Sequence, residues 1–161
     1  MPHAEPVRII HATDFSTEAD AAEAEAVRLA RAFGGELLLV HVATESPLYG
    51  ETTFGMNELK KVFEAQARWA EGRLAERARS LASQGVTTGW RRRVGVPHEE
   101  IVKAAADEHA AYIIIGTHGR GGMGRFMLGS VADRVVRAAA CPVVVVPPPT
   151  ASTYASRKTR A

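Results

Sequence analysis

Apolar and polar positions switch period repeatedly along the chain, and the switches mark out its elements. Val7-Arg8-Ile9-Ile10 forms a short β-type run that stops at the polar turn Thr13-Asp14-Phe15-Ser16. Ala22, Ala26, Leu29, Ala30 and Phe33 then recur at helical spacing, between Ser16 as N-cap and Gly34-Gly35 as terminator. The run Leu37 to Val42, apolar except for His41, predicts a strand buried on both faces, as parallel strands are. A loop over residues 43–56 leads to a long helix over 57–84. Its stripe is Leu59, Val62, Phe63, Ala70, Leu74, Ala78 and Leu81, and Gly85 closes it.

The alternation Val86, Thr88, Trp90, Arg92, Val94 predicts a strand exposed on one face, at a sheet edge. Pro97 starts a short helix through Glu108, a position that suits proline because its missing N–H has no partner there anyway. Tyr112 to Ile115 is a further buried strand, followed by a glycine-rich loop and a helix from about Ser130 that turns Val131, Val135 and Ala138 inward. Cys141-Pro142 breaks that helix, and Val143 to Val146 is the last strand. Five strands alternating with four helices define a doubly wound α/β fold with a parallel sheet, Rossmann-like in plan. The domain is expected over residues 6–147, and 148–161 reads as a proline-rich and basic tail.

Composition then narrows the function classes. The formal charge of +2 over 161 residues is carried by the tail, since Arg157, Lys158 and Arg160 supply three positive charges. Residues 1–150 hold 17 basic and 18 acidic side chains, which is not the footprint of a nucleic-acid platform. Arg91-Arg92-Arg93 reads as the solvated end of a strand, with a phosphate patch as the competing reading. No apolar run is long enough to cross a bilayer, and residues 1–6 do not resemble a signal peptide. The single cysteine, Cys141, leaves no disulfide framework; a buried free thiol in a cytoplasmic protein is the expectation.

Chemistry concentrates after two of the strands. Asp14 follows the first. The fourth is followed by Gly116-Thr117-His118-Gly119-Arg120-Gly121-Gly122-Met123-Gly124-Arg125, with five glycines between 116 and 124. Ligands of doubly wound sheets bind beyond the strand carboxyl ends where the strand order reverses. Asp14 and this loop would face one another there if the first and fourth strands are neighbours. Glycines let backbone amides close on an anion, and Gly129-Ser130 opens a helix whose free N–H groups favour phosphate. A mobile hinge with an ordinary N-cap is the competing reading. Residues 119–124 satisfy the dinucleotide pattern G-x-G-x-x-G, but no acidic residue follows Asp133 to hold a ribose. The P-loop lysine is absent, as no lysine occurs between Lys103 and Lys158. No zinc spacing and no nucleophile elbow is present, and His11 and His41 read as satisfied polar groups.

Gly116, Gly119 and Gly129-Ser130 also meet the spacing glycine, two residues, glycine, nine residues, Gly-Ser. In this the chain resembles the nucleotide-binding universal stress proteins. Similarity extends to Ala12-Thr13-Asp14-Phe15-Ser16, Leu39-Val40-His41-Val42 and Val94-Gly95-Val96-Pro97-His98-Glu99-Glu100-Ile101, with alanine at 12 where many members carry proline. The resemblance implies ATP held by Ala12, Thr13, Asp14, Val42, Gly116, Thr117, His118, Gly119, Arg120, Gly129, Ser130 and Val131. Asp14 would assist any Mg²⁺ that accompanies the nucleotide. It further implies a regulatory protein of the stress response, acting through an unidentified protein partner, and a homodimer formed on Val143, Val144, Val145 and Val146. No catalytic residue is assigned. The alternative is a slow ATPase or nucleotidyl-transfer enzyme of the same fold; a nucleotide-free interaction module fits the glycine loop less well.

Overall fold

A computed structural model describes residues 6–44, 55–118 and 128–148. It contains β1 (Arg8–Ala12), α1 (Thr17–Phe33), β2 (Glu36–Ala43), α2 (Met56–Ser83), β3 (Thr88–Val94), α3 (Pro97–Asp107), β4 (Tyr112–Gly116), α4 (Ser130–Ala138) and β5 (Val143–Val146). The five strands pair in parallel in the order β3-β2-β1-β4-β5, so the order reverses between β1 and β4, as the sequence requires for a shared site.

Strand alternation sorts the core into two layers. Ile9, Leu37, Leu39 and Ile114 meet Ala22, Ala26 and Ala30 of α1 and Leu74, Ala78 and Leu81 of α2. Ile10, Leu38, Val40, Ile113 and Ile115 meet Ile101, Ala104 and Ala105 of α3 and Ala132 and Val135 of α4. The isoleucines at 9, 10, 113 and 114 are wholly buried, each worth about 1.5–3 kcal/mol of apolar transfer. On α1 the facing residues are alanines, which let the helix lie close to the sheet.

The helix ends follow local chemistry. Ser16 Oγ accepts from the Ala19 amide at 3.2 Å, capping α1. Gly34 ends that helix at φ 58°, where a side chain would strain the chain, and a Cβ on Gly35 would stand 2.2 Å from the Val7 carbonyl oxygen. One glycine supplies the conformation and the other the clearance.

Four sequence expectations shift. β3 starts at Thr88, not Val86, because the Val86 amide donates to Leu81 O at 3.2 Å and is lost to the ladder. Val62 is 53% exposed: at 3.6 residues per turn it sits about 80° around α2 from Ala70, off the face that Phe63, Ala70, Leu74 and Leu81 share. Phe33 is also exposed and stacks on half-buried Tyr112 at 5.5 Å, and in α4 the buried residues are Ala132 and Val135, not Ala138. At the other edge, β5 valines are half-buried against both core layers, so its unsatisfied feature is backbone. Ile113 N–H donates to Pro142 O and Thr117 N–H to Val146 O, each at 3.0 Å, which by alternation aims the polar groups of Val143 and Val145 out of the sheet.

His11 departs from the expected satisfied histidine. It is wholly buried under α1, with Nδ1 3.4 Å from the Ile114 carbonyl and no partner for Nε2 among the described residues. A carbonyl only accepts, so Nδ1 carries the proton and Nε2 presents a bare lone pair to the core. Desolvation outweighs the bond to Ile114, which favours the cation, and lowers the pKa to about 4. The unfolded chain therefore binds the proton first, near pH 6.5. His11 leaves stability intact above about pH 6.5 and subtracts from it progressively down to about pH 4, by roughly 3 kcal/mol in the limit. His11→Leu should lose less stability than wild type between pH 7 and pH 4.5 in urea titrations; an unchanged difference would show that His11 does not titrate this way.

Candidate functional site

The exit of β1 is organised by its own side chains. The Thr13 amide donates to Val40 O at 2.9 Å, continuing the β1–β2 ladder one residue past the strand. Thr13 Oγ1 accepts from the Phe15 amide at 3.1 Å, and Asp14 Oδ1 accepts from the Ser16 amide at 3.0 Å and the Ser16 hydroxyl at 2.5 Å. These are local turns of the kind threonine and aspartate favour. They hold Phe15 at φ 63°, a conformation that costs a non-glycine residue energy and persists only when its surroundings impose it. Its ring packs 4.6 Å from His41 and 5.2 Å, edge-on, from Trp69, under the Arg73 guanidinium. His41 Nδ1–H in turn donates to the Thr13 carbonyl at 2.9 Å.

Across the switch point, β4 delivers Gly116, half-buried Thr117 and half-buried His118. A Cβ on Gly116 would lie 3.3 Å from the carbonyl oxygens of both Glu18 and His118, so a side chain there would press on the start of α1 and on the chain leaving β4. His118 Nδ1 meets Thr117 Oγ1 at 3.0 Å, while its buried Nε2 has no partner among the described residues. The Gly129 amide donates to Thr117 O at 2.8 Å, which pins α4 to the end of β4. Gly129 serves as N-cap without any side-chain cap bond, and the first-turn amides of α4, as at any helix start, have no acceptor within the helix.

These segments line one cavity of about 1080 Å³. Ala12, Thr13, Asp14, Val42, Gly116, Thr117, His118, Gly129, Ser130 and Val131, ten of the residues singled out from sequence, are all on its wall. Gly119 and Arg120 lie outside the described residues, as does the rest of the glycine run through Arg125. Sequence reading missed the opposite wall, where Phe63, Ala67, Trp69 and Ala70 of α2 and Val94 of β3 also face the cavity. Phe63 and Ala70 read as core in the α2 stripe and Val94 as part of an edge strand, while Ala67 and Trp69 fell outside that stripe; nothing local separates a core stripe from a pocket wall.

The arginine run is neither a phosphate patch nor a bare solvated end. Arg91 pairs with Glu108 at 3.1 Å, Arg92 with Glu71 at 3.0 Å, and Arg93 with Glu100 at 2.8 Å and Asp107 at 2.9 Å, tying β3 to α2 and α3. Cys141 is only half-buried, and burial raises its thiol pKa, which disfavours a thiolate nucleophile. Among the described residues no group of three histidines, cysteines or carboxylates could hold a metal ion.

A doubly wound sheet with an uncapped helix start and a polar strand turn on one cavity at its switch point is the layout of an α/β ligand-binding domain. The chain belongs to the universal stress protein family, whose family model matches residues 7–147. It is 34% identical to the Methanocaldococcus jannaschii universal stress protein MJ0531 over 88% of this chain and 82% of that one. A universal stress protein of Thermus aquaticus is 36% identical over 86% and 96%. The structure of UspA from Lactobacillus plantarum superposes with a TM-score of 0.76 at 25% identity, over 89% of this chain and 99% of that chain. The same fold recurs in a universal stress protein in complex with cAMP and in an Arabidopsis thaliana family protein with AMP bound, at 20% and 17% identity.

A Cβ at position 129 would fall 2.9 Å from Thr117 O, a backbone atom that cannot swing aside. Gly129→Val should therefore displace the start of α4, lowering the melting temperature by several degrees, the size of ~1–3 kcal/mol of overpacking. Ala132→Val, one turn on, would strain the core without moving the helix start, and serves as the comparison.

Proposed function

We propose that this chain is an ATP-binding regulatory protein of the stress response. The observation that carries the reading is the start of α4, which lines the cavity with no side-chain cap, beside the carboxyl ends of β1 and β4. Its free amides and helix dipole suit phosphate oxygens. The residues present fit a nucleotide in two further ways. His118 brings a buried Nε2 without a partner among the described residues to the cavity wall. Ala12 and Val42 offer apolar surface for a base between the two polar ends. In this assignment Ala12, Asp14 and Val42 take adenine and ribose. Gly116 through Arg120 are assigned to the ribose and phosphates, and Gly129, Ser130 and Val131 to the phosphates. Family structures with cAMP and with AMP support a nucleotide as the ligand class.

Asp14 is the carboxylate assigned to any accompanying Mg²⁺. It already accepts two bonds from Ser16, and Mg²⁺ commonly takes one or two protein carboxylates beside phosphates and water. The chain supplies no Walker lysine, and the described residues offer no paired base, so binding rather than turnover is the activity assigned; slow hydrolysis or nucleotidyl transfer is the alternative. Nucleic acid is not a ligand in this reading, given the acidic excess in residues 1–150. No helix among the described residues is long and apolar enough to cross a membrane, in keeping with a cytoplasmic protein.

Calorimetric titration of the full chain with ATP, ADP, AMP and NAD tests the assignment, with ATP binding expected and NAD weaker. Ser130→Ala should cost of order 1 kcal/mol of binding. NAD binding as tightly as ATP would sink the reading.

The same reading includes a homodimer through Val143, Val144, Val145 and Val146, two copies pairing their β5 edges antiparallel about a two-fold axis. Its support is the edge position and the outward polar groups of Val143 and Val145. Val145→Pro removes an outward N–H without touching the β4 ladder. It should shift sedimentation from dimer toward monomer, and a wild-type chain that sediments as monomer at tens of micromolar would exclude the dimer.

A further inference from the structure

The cavity has two halves that differ in chemistry. Strand alternation places Val40 and Val42 on the α3/α4 side of the sheet and His41 and Ala43 on the α2 side. On β3, Arg92 reaches Glu71 of α2, so Arg92 and Val94 share that second face. The nucleotide assignment uses strand ends and the α4 start. It makes no use of the α2-facing wall, formed by Phe63, Ala67, Trp69, Ala70, Ala43 and Val94. At about 1080 Å³ the whole cavity slightly exceeds the roughly 300–1,000 Å³ usual for one drug-sized ligand.

We propose that the α2-facing half of the cavity is a second binding site, for a small uncharged aromatic molecule, and that His41 couples it to the nucleotide half. Three features define the ligand. The wall presents two aromatic rings, Phe63 and Trp69, with His41, among small apolar side chains. Rings of this kind take a flat aromatic guest by offset or edge contact. Trp69 and His41 are both braced by Phe15, at 5.2 Å and 4.6 Å, so this part of the wall is set before a guest arrives, which lowers the cost of binding. Among the described residues, the two charged side chains that line this wall are already paired. Arg92 pairs with Glu71 at 3.0 Å, and Glu64 lies 3.9 Å from both Lys60 and Arg68, so the guest need carry no charge of its own.

The coupling route is short. His41 lines the cavity and donates through Nδ1 to the Thr13 carbonyl at 2.9 Å, and Thr13 and Asp14 line the nucleotide half. A guest that fixes the His41 ring fixes the turn that the nucleotide is assigned to meet. The coupling rests on the nucleotide reading; the aromatic site itself does not.

The test uses the full chain with para-fluorobenzyl alcohol, observed by fluorine NMR. Saturable binding is expected without nucleotide. Ala67→Trp, which fills the half-buried wall position, should weaken it by about tenfold or more while ATP affinity changes by less than about twofold. Trp69→Leu, a milder change at the mouth, should weaken it by about threefold. A probe that fails to saturate, or that binds Ala67→Trp as it binds wild type with unchanged circular dichroism, overturns the site. Saturating ATP should change the probe affinity by about threefold or more, and His41→Phe, which keeps a ring but loses the donor, should abolish that change. Equal probe affinity with and without bound ATP overturns the coupling. Probe binding in a chain that binds no ATP supports the aromatic site while sinking the nucleotide reading and the coupling with it.

Discussion

The parallel pairing of β1 with β4 is the constraint on which the rest depends. Ile9, Ile10 and His11 lie beside Tyr112, Ile113 and Ile114, and the two strands are the innermost pair across which the strand order reverses. Parallel strands end on the same side, so the chain must leave both at one edge of the sheet. From β1 it turns into α1, which covers one face, and from β4 it reaches α4, which covers the other. The two exits diverge, and among the described residues no helix fills the gap between them. A cavity at this edge follows from topology before any side chain is chosen.

Two backbone devices then keep the cavity from collapsing. On the β1 side, Thr13 and Asp14 satisfy the turn through their own side chains, and Ser16 passes the order on to the first turn of α1. On the β4 side, the Gly129 amide bonds to Thr117 O, so the loop between them starts and ends at one hydrogen bond. Only glycine fits there, since any Cβ would press on that carbonyl. The spacing that places Gly129 twelve positions after a strand-ending threonine therefore has a steric meaning independent of any ligand. The strained φ of Phe15 belongs to the same economy: its ring anchors His41 and Trp69 in place of a relaxed turn.

Much of this was legible from sequence because it rests on period and punctuation. Continuous apolar runs gave the buried strands, Ser16 and Gly34 bounded α1, and the glycine-rich segment marked the polar exit of β4. What could not be read depends on packing and pairings across the fold. Val62 belongs to the apolar stripe on α2 by spacing, yet it stands at the margin of that stripe and the packed fold leaves it exposed. Arg91, Arg92 and Arg93 look like one patch in the sequence, but side-chain alternation and neighbouring helices distribute them among Glu108, Glu71, Glu100 and Asp107. His11 looked like an ordinary polar strand end. Its orphaned Nε2 emerges only once β4 and α1 enclose it.

His11 also shows what the central pairing costs. A valine there would pack as its strand neighbours do, whereas histidine leaves a lone pair in the core and exposes the fold to acid. The Nδ1–H bond to Ile114 recovers part of that cost and bridges β1 to β4 through a side chain, two residues short of Gly116. Asp14 and Asp20 favour the protonated ring and Arg77 opposes it, so the group is poised among charges from the β1 exit, α1 and α2. Burial decides the balance, and the ring stays neutral at ordinary pH. The buried imidazole thus acts as a polar strut between the two strands whose divergence opens the cavity, and its chemistry ties the stability of the core to the edge where the ligand site lies.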